Sequence, residues 1–192
     1  MCNVTFIAGA TMEKDFEGKA TSRVCRVTYR EERNLPVMDL DIEFNWADIS
    51  TAHEKRDQRM REHFLIAGRE TIRGTARGIS LPSLDAASPA SPLAIPISMV
   101  MGGVTNQLTG LVTNRMIQTD DLQTFDVEFT ISQEKFGYEP ITLLAFMSVR
   151  DEVAARVNFK LPAAPEVPGA PPPDRKNFPD RLPGIYTRAV CA

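Results

Sequence analysis

Polar and apolar positions alternate with period two along most of this 192-residue chain. The cleanest example is Phe125 to Ile131, where Phe125, Val127, Phe129 and Ile131 alternate with Asp126, Glu128 and Thr130. That pattern predicts a strand with one buried and one wet face. It recurs at Cys25, Val27 and Tyr29, at Leu40, Ile42, Phe44 and Trp46, and at Ala155, Val157, Phe159 and Leu161. Apolar runs predict further strands over Asn3–Ala8, Leu93–Met101, Leu108–Ile117 and Ile141–Val149, and Glu70–Ile79 reads as a Thr/Arg/Gly strand anchored by Ile72. Pro96 places its strand at an edge or a bulge, because proline cannot donate to a ladder. Turn residues fall at Glu31–Pro36, Gly102–Gly103, Thr119–Leu122 and between Gly137 and Pro140. Strands so regularly spaced predict an all-β fold, an antiparallel barrel or sandwich of about eight strands.

One segment changes period. Asp39–Phe64, DLDIEFNWADISTAHEKRDQRMREHF, begins as a strand and then becomes dense in charge. Ser50 and Thr51 are candidate helix N-caps, and Thr51 to Glu54 has the spacing of a capping box. The reading is one α-helix inserted into a β protein, ending near Ala67-Gly68. Its charges read as a solvated face laced with pairs such as Asp57 and Arg61, with Met60 and Phe64 as a short apolar stripe.

Two stretches lack periodicity. Ser80–Pro92, SLPSLDAASPASP, predicts a long loop. The tail from Pro162 holds eight of the 14 prolines and predicts an extended or disordered segment, either solvated or acting as a strap on a partner or on the domain itself. The organisation is thus a domain over residues 1–161 and a Pro-rich tail over 162–192.

Composition narrows the function classes. The tail holds four of the 22 basic and three of the 25 acidic residues, leaving the body at −4, the opposite of a nucleic-acid footprint. The three cysteines, Cys2, Cys25 and Cys191, are odd in number and include no Cys-x-x-Cys pair, so the reading is reduced thiols in a cytoplasmic protein without a disulfide framework. No signal peptide or transmembrane segment is expected, since the longest apolar-rich run, Leu93–Val104, is interrupted by Pro96 and Gly102-Gly103.

Catalytic candidates are weak. His53 and His63 are ten residues apart on the expected helix, about 15 Å along its axis, and cannot share an ion. No metal site, nucleotide motif, cofactor motif or serine-hydrolase elbow is present. The remaining chemistry is the inward-facing apolar set: Phe44, Trp46, Met60, Phe64, Met99, Met101, Met116, Phe125 and Phe129. In a wide barrel these line a ligand tunnel; in a narrow one they fill it, and by themselves the residues favour filling.

The segment DISTAHEKRDQRMREHF resembles the signature of the YceI family, in which a strand leads through "SIDT" into "RD" and a helix. Ile49, Thr51, Arg56 and Asp57 take those positions. GVTNQLT at Gly103–Thr109, ISQEKFG at Ile131–Gly137 and Asp151-Glu152-Val153 resemble further family segments in the family's order. The resemblance covers residues 3 to 161 and implies a lipocalin-like barrel with a long apolar tunnel for polyisoprenoid or other amphiphilic chains, shifting the expectation from filled to hollow. It implies a binding protein rather than an enzyme, carrying an isoprenoid, quinone, carotenoid or fatty-chain lipid, with no cofactor beyond such a bound molecule. Two other readings stand beside it. In one, an accessory subunit grips a protein partner through Pro162–Ala192; in the other, a barrel cyclase or isomerase acts on an apolar substrate, for which no acid/base pair is evident. A homodimer stays open.

Overall fold

The computed structural model describes residues 2–10, 15–65, 69–119, 122–139, 142–144, 147–162 and 186–190. The strands are β1 (Cys2–Ala10), β2 (Phe16–Thr21), β3 (Val24–Glu32), β4 (Leu35–Asn45), β5 (Thr71–Ser80), β6 (Leu93–Met101), β7 (Val104–Thr119), β8 (Leu122–Ser132), β9 (Thr142–Leu144), β10 (Met147–Pro162) and β11 (Tyr186–Val190). Helices α1 (Glu54–Phe64) and α2 (Leu81–Ala86) interrupt them. All strands join one antiparallel sheet in the order β11-β3-β4-β5-β6-β7-β8-β10-β1-β2, with β9 paired to β10.

The sheet curls into a barrel because β2 and β3, near its two ends, are consecutive in the chain. Only Ser22 and Arg23 separate them; the Ser22 amide donates to Cys2 and the Arg23 amide to Glu43, so the chain crosses from the β1 ladder to the β4 ladder there. The described residues hold eleven strands where about eight are expected: β9 and β11 are short additions, and β2 and β3 run on as one stave of the lipocalin-like curl.

Several local expectations are corrected. Ser80–Pro92 is not wholly a loop. Ser80 caps α2, Pro82 occupies its first turn, and Leu81 and Leu84 are completely buried, so tertiary burial sustains a helix too short to show periodicity. Cys2 and Cys25 are not separate thiols. They form a disulfide between β1 and β3, which share no ladder, so the bond staples the barrel where the sheet's ends meet. Pro96 is tolerated because β5 pairs with β6 only from Ser98 to Val100. In the tail, Tyr186–Val190 lies on the domain itself, antiparallel to Tyr29–Cys25 of β3. The anticipated helix end at Ala67-Gly68 and the aspartates of the Thr119–Leu122 turn lie outside the described residues.

The interior divides into two halves. At one end Val27, Tyr29, Leu40, Ile95, Phe125, Val127 and Phe159 pack into a filled core, plugged by Leu81 and Leu84 of α2. Gln123, fully buried there, donates to the Tyr29 hydroxyl at 2.5 Å and accepts from Arg115 Nε at 2.9 Å, while Tyr29 donates to the Pro162 carbonyl at 2.7 Å. At the other end a second cluster gathers Phe44, Trp46, Met60, Phe64, Met99 and Met101 beneath α1.

Candidate functional site

That second half is hollow. A cavity of about 110 Å³ lies between the inner faces of β1, β2, β4, β5, β6, β8 and β10 and the underside of α1. Period-two alternation is what turns Phe44, Met99, Met101 and Phe129 inward from their strands. Helical spacing brings Met60 and Phe64, four apart, onto one face. Of the sequence candidates, Phe44, Trp46, Met60, Phe64, Met99, Met101 and Phe129 border the cavity. The other two do not. Phe125 is stacked on Phe159 in the filled half, with ring centroids 4.9 Å apart. Met116 is 58 % exposed, because the β7–β8 register shifts between Val112 and Arg115 and again after Ile117.

Other wall residues were not anticipated. Phe6, Phe16, Ile49, Ile131, Val153 and Ala155 also face the cavity. Ile131 and Ala155 belonged to recognised alternating runs, but alternation gives the face of a strand and not the depth along the barrel. Gln133 is the polar side chain of the wall, and its amide is engaged by the Arg150 carbonyl at 3.0 Å.

The helix over the mouth is held by a buried carboxylate. Asp57 is only 6 % exposed. It accepts hydrogen bonds from the Thr51 amide at 2.7 Å, the Thr51 hydroxyl at 2.5 Å and the Ser50 hydroxyl at 2.9 Å. Burial by itself would raise its pKa, but these bonds and the charge of Arg61 hold it below the usual carboxylate value. Arg56 Nε donates to the Thr51 hydroxyl at 2.9 Å, and its guanidinium lies 4.2 Å from the centroid of Phe16, a cavity-wall ring. The residues that carry the family resemblance are therefore a clamp, correcting the expectation of Asp57 as part of a solvated face. The cap is also corrected: His53 occupies the N-cap of α1, and Thr51 is diverted to Asp57.

Behind the cavity wall, Trp46 stacks on Phe64 with centroids 4.0 Å apart and planes 5° apart. Tyr138 meets both rings edge-on, at 6.2 Å and 4.8 Å. His63 stands edge-on to Phe64 at 4.7 Å. Burial pushes the Tyr138 hydroxyl up, more than the nearby Trp46 N–H and Arg69 charge lower it. Gly102, at φ +61°, leaves the space that the Tyr138 hydroxyl fills; a Cβ there would lie 2.7 Å from that oxygen.

Solved structures share the fold. The crystal structure of Burkholderia cenocepacia BcnA aligns with TM-score 0.61 at 14 % identity, covering 83 % of this chain and 95 % of that one. A polyisoprenoid binding domain from Saccharophagus degradans, implicated in plant cell wall breakdown, aligns with TM-score 0.57 at 10 % identity over 84 % and 94 %. The Campylobacter jejuni YCEI protein aligns with TM-score 0.54 at 10 % identity over 80 % and 88 %. No curated protein sequence matches the chain. The YceI-like domain model matches residues 2–161, the whole barrel body, and with it the chain belongs to the YceI-like family.

Proposed function

We propose that this protein binds the apolar part of a small amphiphilic molecule in the chamber beneath α1 and does no chemistry on it. The observation that supports this most is the half-hollow interior: the same barrel that is densely filled at the α2 end keeps an apolar void at the α1 end. An unfilled apolar void costs stability, and a bound apolar group would offset that cost. The structural kinship with a polyisoprenoid binding domain supports a chain ligand, and we read its class as isoprenoid, quinone, carotenoid or fatty chain. Burial of each methylene contributes about 0.8 kcal/mol. An apolar protein cavity of about 150 Å³ holds one benzene, so a chamber of about 110 Å³ takes one ring or one short branched unit as it stands. A longer chain requires Met60, Met99 and Met101, which are adaptable, to repack.

The wall carries no acid/base pair among the described residues, which favours binding over a cyclase or isomerase reaction. The alternative of a subunit gripping an assembly through Pro162–Ala192 has less support, because Tyr186–Val190 is already paired with β3 of its own chain. Gentle purification, organic extraction and mass spectrometry test the proposal, alongside titration with small apolar probes. A co-purifying chain lipid, or probe binding abolished by Val153→Phe, supports it. Absence of any extractable ligand together with no probe uptake refutes it.

A further inference from the structure

Three polar atoms beside the chamber are buried without a well-formed hydrogen bond: Trp46 Nε1, which only leans towards the Tyr138 oxygen, His63 Nε2 and Tyr138 Oη. They are close neighbours. Trp46 and His63 each lie 6.2 Å, centroid to centroid, from the Tyr138 ring, and Phe64 touches all three. Trp46 and Tyr138 are 8 % and 6 % exposed, so bulk water does not satisfy them. Unpaired buried polar groups are rare in native folds, and three in one place call for a partner.

The chemistry of that partner follows from the donors. The indole N–H donates only, and the phenol O–H, protonated at neutral pH as any tyrosine is, donates as well. The imidazole nitrogen donates in one tautomer. What complements such a set is an oxygen with lone pairs. On the Gly102 side the Tyr138 hydroxyl itself fills the space, so no ligand atom enters there. Trp46 and Phe64 belong both to the niche and to the chamber wall. One molecule can therefore occupy the chamber with its apolar part and the niche with its polar end.

We propose that Trp46, His63 and Tyr138 form a recognition site for the neutral oxygen acceptor, a carbonyl, at the polar end of the chamber's ligand. This inference rests on the binding function proposed above. The three atoms are sealed in the present arrangement, and two of the four residues, His63 and Phe64, lie on the last turn of α1. Opening of that turn is the entry step. It exchanges three unsatisfied groups for groups bonded to the incoming oxygen.

The test uses the full chain and a matched probe pair, cyclopentane and cyclopentanone, which differ by one carbonyl and are each a single small ring. Calorimetric titration of the wild type is expected to show cyclopentanone binding about tenfold more tightly than cyclopentane. Tyr138→Phe and His63→Phe, at residues outside the chamber wall, are expected to bring cyclopentanone down to the affinity of cyclopentane while leaving cyclopentane unchanged. A melting temperature within the range of the wild type's own scatter, or above it, confirms that Tyr138→Phe still folds. Equal affinity for both probes in the wild type, or a preference unchanged in both variants, overturns the carbonyl site and leaves the apolar chamber standing. Binding of neither probe overturns both readings.

Discussion

Removing the Asp57 carboxylate is the sharpest test of how the chamber is roofed. In Asp57→Ala the Thr51 amide and hydroxyl, on a residue only 6 % exposed, both lose their acceptor. Ser50 is exposed and turns to water. Two buried bonds to a charged group are each worth about 1.5–3 kcal/mol, so a loss of about 3–6 kcal/mol is expected. Asp57→Asn keeps a carbonyl oxygen for Thr51 and loses only the charge, about 1–2 kcal/mol. For a domain of this size each kcal/mol shifts Tm by about 2–4 °C. The pH dependence carries the mechanism. The Asp57 pKa is depressed in the folded state, so its contribution is complete above the unfolded value of about 3.9 and is lost as pH falls through the folded value. The gap between wild type and Asp57→Asn therefore narrows below about pH 4. Thermal melts followed by the single tryptophan, Trp46, read this directly, because its ring is stacked on Phe64 of α1. An Asp57→Asn protein as stable as the wild type, or a gap that persists undiminished at low pH, refutes the clamp.

Other expectations concern the two ends of the barrel and its seam. Reduction of Cys2–Cys25, which closes a loop of sequence separation 23, should cost about 3 kcal/mol and lower Tm in calorimetry, and an unchanged Tm in reductant contradicts the staple. Leu84→Ala in the α2 plug should cost about 2–5 kcal/mol in a urea melt while sparing probe binding in the chamber, since Leu84 belongs to the filled half. Gly18→Ala places a methyl against the Phe6 ring across the β1–β2 ladder and should push that ring into the chamber, weakening probe binding and costing about 1–3 kcal/mol. Deleting residues 163–192 uncovers the edge of β3 and should raise self-association in light scattering, and a monomer at all concentrations contradicts that role for β11.

The sequence by itself determined the periodicities. Period two at Phe125–Ile131 and Leu40–Phe44 specified strands and their inner faces, the change of period after Trp46 specified α1, and Ile49, Thr51, Arg56 and Asp57 pointed to the family. Those signals are local, so they survive in one dimension. What the tertiary structure decided was depth and closure. Phe125 and Phe129 share a face four residues apart, yet one fills the α2 end and the other borders the chamber. Met116 obeyed the pattern until a register shift in β7 turned it out. Asp57 looked like one more surface charge because nothing in the sequence shows that Ser50 and Thr51 fold back onto it. The pairing of Cys2 with Cys25 depends on two ends of one sheet meeting, and the Trp46–His63–Tyr138 niche on three elements converging. Burial and long-range contact arise only when the sheet closes on itself, and neither is a property of any single strand.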